Sequence, residues 1–282
     1  MGHDEQPKHS FGALQSALIP HQGIPLEDLS EDVVQSVIYD AYKNGAVQEP
    51  IYGKFAVLAA ESLARPKDDM HGAYSIGELS QEFYRRGLAE KFDVLTCSIG
   101  IKHATQLPAT LNISVESALS PTFWTEIERR VEGFEPENFI FEILEHDVDV
   151  NADIEHLKAL KERGFRFALD DFTGNALDKN RIAVFGDLVD YIKIDGPVVR
   201  AGLGDDVKGH TAEQFVQVVA RLQTDHPETQ LIAERVRTAG EAQTLFDMGF
   251  AGVQGRQLKP EFFSYTPEAV ALASAPAACE YE

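Results

Sequence analysis

The 282-residue sequence has only two cysteines, Cys97 and Cys279, and no apolar run long enough to cross a bilayer. Two cysteines cannot build a disulfide framework. A membrane-spanning helix needs about 20 consecutive apolar residues. The N-terminus lacks the basic start and apolar core of a secretory signal. We therefore expect a cytoplasmic protein that does not associate with membranes.

Positive charge is also scarce, because 25 Lys and Arg residues stand against 46 Asp and Glu residues, for a net charge of −21. Such a surface repels nucleic-acid polymers, whose binding depends on cationic side chains that neutralise phosphates. Solubility alone can explain the acidity. A small phosphate-containing ligand would need a few well-placed Lys or Arg residues, or bound metal, to bind here.

Short apolar runs alternate with amphipathic helical patterns along most of the chain, which favours a parallel sheet with helices outside. Eight such runs in about 240 residues favour a closed barrel. Only about three residues separate the first two runs, which permits a hairpin but no helical crossover. We therefore predict an α/β fold, a modified (β/α)8 TIM-like barrel with one antiparallel strand. The predicted strands are 46–52, 56–64, 109–114, 138–145, 166–171, 190–195, 230–235 and 250–255.

A single domain is predicted over residues 26–262, including an N-terminal helix that begins after Ser30. A loose arm over 1–25 precedes it, and a tail over 263–282 follows it. Gly164 and Gly249 fall where helices should end. The predicted helices within the barrel are Leu79–Leu88, Phe123–Val131, Ile154–Arg163, Ala212–Leu222 and Gly240–Met248.

Polar side chains occur at the ends of the predicted strands, where chemistry in such barrels is located. Taken singly, each has an ordinary explanation, such as a solvated carboxylate, a turn-forming Asn or a paired Lys. Together they place five carboxylates, and no His, on one rim. All-oxygen ligation suits Mg²⁺, Mn²⁺ or Ca²⁺ rather than zinc. The residues are Glu61, Asn112, Glu142, Asp170, Asp171, Lys193, Glu234 and Gln254.

The adjacent Asp170 and Asp171 are the most specific element of this set. Two neighbouring carboxylates at a strand end can reach separate ions or bridge a pair of ions. Paired metals about 3.5–4 Å apart are a recurring device for phosphate-ester hydrolysis. Lys193 could orient the attacking water or stabilise the developing charge, and Glu234 could act as ligand or base.

In this order the residues resemble the EAL-domain family of cyclic di-GMP phosphodiesterases, from about Val47 to Pro260. Gln48-Glu49-Pro50-Ile51 is similar to the family's opening strand, and Glu61-Ser62-Leu63 stands where the name-giving Glu-Ala-Leu belongs. The resemblance implies hydrolysis of cyclic di-GMP to linear pGpG with two divalent cations, Mg²⁺ or Mn²⁺.

The resemblance also implies a role for each matching residue. Catalytic roles fall to Asp171, Lys193 and Glu234. Substrate contacts fall to Gln48, Leu63, Arg65 and Gln254, of which Arg65 is the phosphate contact. The implied metal ligands are Glu61, Asn112, Glu142, Asp170, Asp171 and Glu234.

The sequence departs from the family pattern in the loop after Asp171, at Arg235 and Arg237, and at Arg256, where an aromatic residue is usual. In the family that loop couples dimerisation to metal binding, so a homodimer or a regulatory protein partner stays open. These departures support a second hypothesis, a non-enzymatic EAL protein acting as a cyclic di-GMP sensor or protein-binding adaptor. A third hypothesis, a two-carboxylate glycosidase, gives no reason for Asp170 and Asp171 beside Lys193.

Overall fold

The computed structural model describes residues 46–64, 76–103, 107–263 and 265, and in them eight strands close into a barrel in chain order. The first strand pairs antiparallel with the second and the eighth, and the other neighbouring strands pair in parallel. The predicted fold class is therefore confirmed. The strands are β1 Ala46–Gly53, β2 Val57–Ala64, β3 Ala109–Ile113, β4 Phe139–Ile143, β5 Arg166–Phe172, β6 Tyr191–Ile194, β7 Gln230–Ala233 and β8 Gly252–Gln254.

Helices cover the outside of the barrel, and five of those described match predicted helical patterns. The helices α2, α3, α6 and α7 were not predicted. The helix predicted after Ser30 and the arm over 1–25 lie outside the described residues, as does Arg65. The helices are α1 Ile76–Arg85, α2 Ala89–His103, α3 Val115–Ala118, α4 Pro121–Arg130, α5 Glu155–Glu162, α6 Ala176–Phe185, α7 Gly196–Gly202, α8 Ala212–Asp225 and α9 Ala239–Asp247.

Local sequence signals explain several helix limits. Thr211 and Thr238 cap α8 and α9, because their hydroxyls accept backbone N–H groups of the first turn. Gly164 follows the end of α5 with a φ of +102°, and Gly249 follows α9 with a φ of +93°. Both values lie in the left-handed region that glycine adopts without steric cost. The two predicted helix ends are therefore confirmed.

Side chains along each strand point alternately toward the surrounding helices and toward the inside of the barrel, and this alternation determines where the polar residues lie. On β4, Phe139, Phe141 and Ile143 are buried in the large core between the strands and the helices. Ile140 belongs instead to a small apolar cluster with residues of five other strands. Because side chains alternate along a strand, Glu142 lies one layer above Ile140 on the same face. The small cluster is Ile51, Ala59, Ile140, Ala168, Tyr191 and Ile232.

A step of two residues along five strands leads from this apolar layer to a polar layer above it. Examples are the steps from Ala168 to Asp170 and from Tyr191 to Lys193. The sixth polar side chain, Gln254, lies on β8 opposite Ile51 of β1. Six polar side chains from six strands thus share one end of the barrel. They are Glu61, Glu142, Asp170, Lys193, Glu234 and Gln254.

Two residues of the predicted tail pack against the opposite end of the barrel. The ring of Phe263 stacks on Tyr52 at 4.9 Å between centroids. The hydroxyl of Tyr265 donates a hydrogen bond of 2.6 Å to the carbonyl of Gly53. Packing on the barrel therefore continues past residue 262, whereas the domain limits stay predictions. In the part of the chain that the structure describes, no helix has the length and apolar character needed to cross a membrane.

Candidate metal and phosphoester site

A single buried ammonium group lies among four carboxylates at the carboxyl end of the barrel. Lys193 Nζ is 2.8 Å from Asp170 Oδ1, 2.9 Å from Glu142 Oε2, 3.0 Å from Glu234 Oε1 and 3.5 Å from Glu61 Oε2. Lys193 is 1% exposed and Glu142 is fully buried. One cation among four acids leaves excess negative charge in a region with little solvent. Such a cluster is costly unless further positive charge joins it.

Two amide side chains hold Glu61 in place. Asn112 Nδ2 donates to Glu61 Oε1 at 2.9 Å, and Gln254 Nε2 donates to Glu61 Oε2 at 2.6 Å. Three buried oxygens nearby, Asn112 Oδ1, Gln254 Oε1 and Glu142 Oε1, have no hydrogen-bond partner among the described residues. Buried acceptors without partners are rare in native proteins. They are therefore available to a cation or a bound ligand.

Asp170, Asp171 and Glu234 form the tightest group of candidate ligands. One oxygen from each lies within 4.8 Å of the others, which is close enough to share an ion. Asp171 has a φ of +47°, a left-handed conformation that non-glycine residues rarely adopt. Residues held in such conformations cluster at functional sites. The residues present fit a hard divalent cation, because every donor is an oxygen.

Burial and mutual repulsion shift the proton affinities of this cluster. Burial raises the pKa of Glu234 to about 8, although Lys193 opposes the rise. Burial and the neighbouring Asp170 raise the pKa of Asp171 to about 6. Burial also raises the pKa of Glu142 well above its usual value, again against Lys193. Near neutral pH Glu234 therefore holds a proton that a divalent cation would have to displace.

Two members of the cluster stay charged. Burial alone would raise the pKa of Glu61, but Lys193 and the donors Asn112 and Gln254 outweigh it, so that this pKa is lowered. Burial alone would lower the pKa of Lys193, but the surrounding carboxylates, led by Asp170, hold it well above its usual value. The ammonium therefore stays protonated at neutral pH.

A cavity of about 530 Å³ opens beside the cluster, and its volume is typical of a small-molecule site. Glu61, Asp170 and Asp171 line one part of it. Tyr84 and His146 line another, with their rings 5.0 Å apart and nearly perpendicular. Sequence reasoning missed both aromatic residues, because Tyr84 lies on a helix and His146 in the loop after β4. No spacing signal connects either one to the strand ends.

The remaining predicted site residues fall in three places. Leu63 is half-buried and lines the cavity. Gln48 donates to the Ser62 hydroxyl at 3.2 Å, and Ser62 lines the cavity. Arg65 lies outside the described residues. The other predicted residues, Asn112 and Gln254 included, meet at one rim.

The arginines that depart from the family pattern stay out of the acidic cluster. Arg237 lies 3.1 Å from an Asp205 oxygen and 3.2 Å from a Glu241 oxygen, and almost half of its side chain is exposed. Arg256 pairs with Glu49 at 3.3 Å and is largely exposed. Arg235 is exposed too, with a left-handed φ of +52°. None of the three has an ion pair with a cluster carboxylate among the described residues.

Comparisons with known proteins agree with this geometry. The EAL-domain family model matches residues 47–260. The chain is 28% identical over 102 residues to the cyclic di-GMP phosphodiesterase PdeL of Escherichia coli (strain K12). That match covers 36% of this chain and 26% of PdeL, so the chain spans about a quarter of that relative.

Two solved structures show the same fold. The EAL enzyme Bd1971 in its cAMP-bound form gives a TM-score of 0.65 at 18% identity, with 83% of this chain and 67% of that chain covered. The FimX EAL domain from Pseudomonas aeruginosa bound to c-di-GMP gives a TM-score of 0.62 at 21% identity, with 80% and 94% covered. With a family model that matches most of its length, the chain belongs to the EAL-domain family.

Proposed function

We propose that this protein is a divalent-metal-dependent phosphodiesterase that hydrolyses cyclic di-GMP to linear pGpG. The observation that carries the proposal is the carboxylate group of Asp170, Asp171 and Glu234 beside the buried Lys193. Family membership and the activity named for the related PdeL give the substrate.

Two divalent cations, Mg²⁺ or Mn²⁺, are the cofactors that this donor set fits. Asp170, Asp171 and Glu234 would hold them, because their oxygens already lie within 4.8 Å of one another. Glu61, Asn112 and Glu142 would complete the set, two of them with buried oxygens that are free of hydrogen bonds. When bound, such cations supply stabilisation of phosphoryl charge and make water acidic enough to attack at neutral pH.

The chain's own residues then have separable tasks. Glu234 would accept the proton of the attacking water once a bound cation has displaced its own proton, which its pKa of about 8 lets it hold near neutral pH. Lys193 stabilises negative charge on the phosphate oxygens, because its ammonium is buried and charged at neutral pH. The water oxygen bonds to phosphorus, the phosphorus–O3′ bond breaks, and the O3′ atom takes up a proton. The product carries a free 3′-hydroxyl and a 5′-phosphate.

The cavity beside the cluster suits a ligand that combines phosphate with flat rings. Its acidic part would bind phosphate through the cations, because carboxylates alone repel a phosphate group. Its aromatic part offers Tyr84 and His146 as contacts for a base. Leu63 lines the same cavity, and Gln254 donates to Glu61, which also lines it; we assign both to substrate contact. Gln48 and Arg65 are assigned to substrate contact from the family resemblance alone.

The test is an assay of the purified chain with cyclic di-GMP and either Mn²⁺ or Mg²⁺, with pGpG measured by chromatography. Glu61→Ala should abolish the product, because Glu61 lies within the cluster and receives two amide hydrogen bonds. Glu155→Gln serves as the control, because Glu155 is exposed on α5 and forms a surface ion pair with Lys158. Absence of turnover by the wild type in both metals would refute the proposal.

A sensor or adaptor without catalysis is the second candidate, and Arg235 favours it. Arg235 directly follows Glu234 and adds a cation near the rim in an unusual backbone conformation. Calorimetry that shows tight binding of cyclic di-GMP without pGpG formation would support a sensor. Absence of nucleotide binding would instead support an adaptor. A homodimer or a regulatory protein partner, and a cytoplasmic location, stay predictions under either function.

A further inference from the structure

The loop that follows Asp171 is tied to one buried carboxylate on α6. Asp178 Oδ2 accepts hydrogen bonds from the backbone N–H of Thr173 at 2.8 Å and of Gly174 at 2.9 Å. It also accepts from the Thr173 hydroxyl at 2.9 Å and from the Asn175 N–H at 3.3 Å. Asp178 is 2% exposed. One side chain thus fixes three consecutive residues of the loop.

A fully buried arginine ties the other side of Asp171. Arg181 donates to Asp178 Oδ1 at 2.8 Å and to the carbonyl oxygens of Ile143 and Asp170, each at 2.7 Å. It therefore joins the ends of β4 and β5 to the start of α6. Arg181 is 0% exposed, and its Nε atom has no partner among the described residues.

These two anchors enclose Asp171 on both sides along the chain. Arg181 holds the carbonyl of the residue before it, and Asp178 holds the amides of the loop that begins two residues after it. Between them Asp171 adopts its left-handed φ of +47°. A strained conformation of this kind persists only where the surroundings fix it from several directions. Asp178 and Arg181 fix the backbone after and before Asp171, respectively.

Ordinary helix capping accounts for only part of this arrangement. Asn175 and Asp178 form a capping box, in which Asp178 accepts the Asn175 N–H. Asn175 already caps α6 through its side-chain oxygen, which accepts the N–H groups of Leu177 and Asp178. The bonds from Asp178 to Thr173 and Gly174 lie outside the helix. A buried ion pair is also weak evidence for a stabilising role, because desolvation offsets its attraction. A role in positioning Asp171 explains the Asp178–Arg181 ion pair better.

We propose that Asp178 and Arg181 are positioning residues that hold Asp171 in its left-handed conformation, so that its carboxylate shares cations with Asp170 and Glu234. The inference rests on the proposed metal site and adds two residues to it. Neither residue touches the cations or the substrate. They act through the backbone on either side of Asp171, as supporting residues do around other metal centres.

The test compares Asp178→Asn and Arg181→Met with Asp190→Asn in the full chain. Asp190 is a matched control, because it accepts the N–H of Phe167 near the start of β5, at the opposite end of the barrel. Calorimetric titration with Mn²⁺ should show binding weakened about tenfold or more by the first two changes and unaltered by the control. Thermal unfolding in EDTA shows that each variant is folded.

A second readout needs no metal. Hydrogen exchange of the Thr173, Gly174 and Asn175 amides in metal-free protein should become about tenfold faster in Asp178→Asn, because their acceptor loses its charge. Gln214→Ala tests the same loop from α8 without disturbing the core, because Gln214 Nε2 donates to the Thr173 carbonyl at 3.1 Å. It should weaken Mn²⁺ binding less than Asp178→Asn does.

The outcomes separate this inference from the proposed function. If the wild type, Asp178→Asn and Gln214→Ala all bind Mn²⁺ with the same affinity, the positioning role is overturned and the metal site stays intact. Wild type that binds no Mn²⁺ would overturn the metal site, and the positioning role with it. If Asp178→Asn does not fold, unaltered affinity in Gln214→Ala would count against the inference.

Discussion

Removing the ammonium of Lys193 should make the stability of the metal-free protein strongly dependent on pH. Lys193→Met keeps much of the side-chain volume but leaves four carboxylates without their shared counter-ion. Removing one partner of a buried ion pair typically costs about 3–5 kcal/mol of unfolding free energy. For a domain of this size that corresponds to a fall of roughly 6–20 °C in melting temperature.

The direction of the pH dependence follows from the pKa shifts. Lys193 lowers the pKa of both Glu142 and Glu234, so its loss raises them further above their values in the unfolded chain. A carboxylic acid whose pKa is higher in the folded state stabilises the fold below its unfolded pKa. That stabilisation is lost as pH rises through the folded pKa. The variant should therefore be nearly as stable as wild type near pH 5 and much less stable near pH 8.

Thermal unfolding in EDTA, followed by circular dichroism at both pH values, measures this effect. Lys158→Met is the matched control, because Lys158 is exposed on α5 and pairs with the exposed Glu155 at 2.6 Å. An exposed pair contributes about 0–1 kcal/mol, so the control should lose little at either pH. An equal fall in melting temperature at both pH values for Lys193→Met would refute the electrostatic reasoning.

Three further predictions concern separate parts of the molecule. Mn²⁺ affinity should rise roughly tenfold or more between pH 6 and pH 8. The reason is that Asp171 and Glu234, with pKa values of about 6 and 8, must lose protons before they bind the ion. Calorimetry that shows the same affinity at both pH values would contradict this. Arg237→Glu should lower the free energy of unfolding in urea by about 1 kcal/mol, because it breaks the surface ion pairs with Asp205 and Glu241. A large change in Mn²⁺ affinity would instead show that Arg237 reaches the acidic cluster. Phe141→Ala should cost about 3–5 kcal/mol in urea unfolding through a core cavity, and a loss below about 1 kcal/mol would contradict the packing described.

The barrel could be predicted from the sequence because its strands are short apolar runs between turn residues. The helices were harder where no single apolar stripe exists. Helix α2 has buried residues on several sides, including the charged Asp93. Helix α6 buries the polar Asp178 and Arg181 as well as Val184 and Phe185. Periodicity cannot identify helices whose buried residues are polar.

The candidate site was predicted to the extent that strand ends reveal it. The position of Lys193 two residues beyond the apolar layer follows from strand alternation. Its simultaneous contact with four carboxylates does not, because the contact depends on how the barrel closes. Tyr84 and Arg181 were missed for the same reason. Each lies on a helix, and only the packing of that helix brings it to the site.

The most direct test of the central claim is the rate of pGpG formation from cyclic di-GMP while Mn²⁺ is titrated into metal-free protein and then removed with EDTA. We predict no pGpG without metal, a rate that rises and saturates with Mn²⁺, and loss of activity when EDTA removes the metal. Full activity in EDTA, or no product at saturating Mn²⁺ from folded protein that binds the nucleotide, would contradict it.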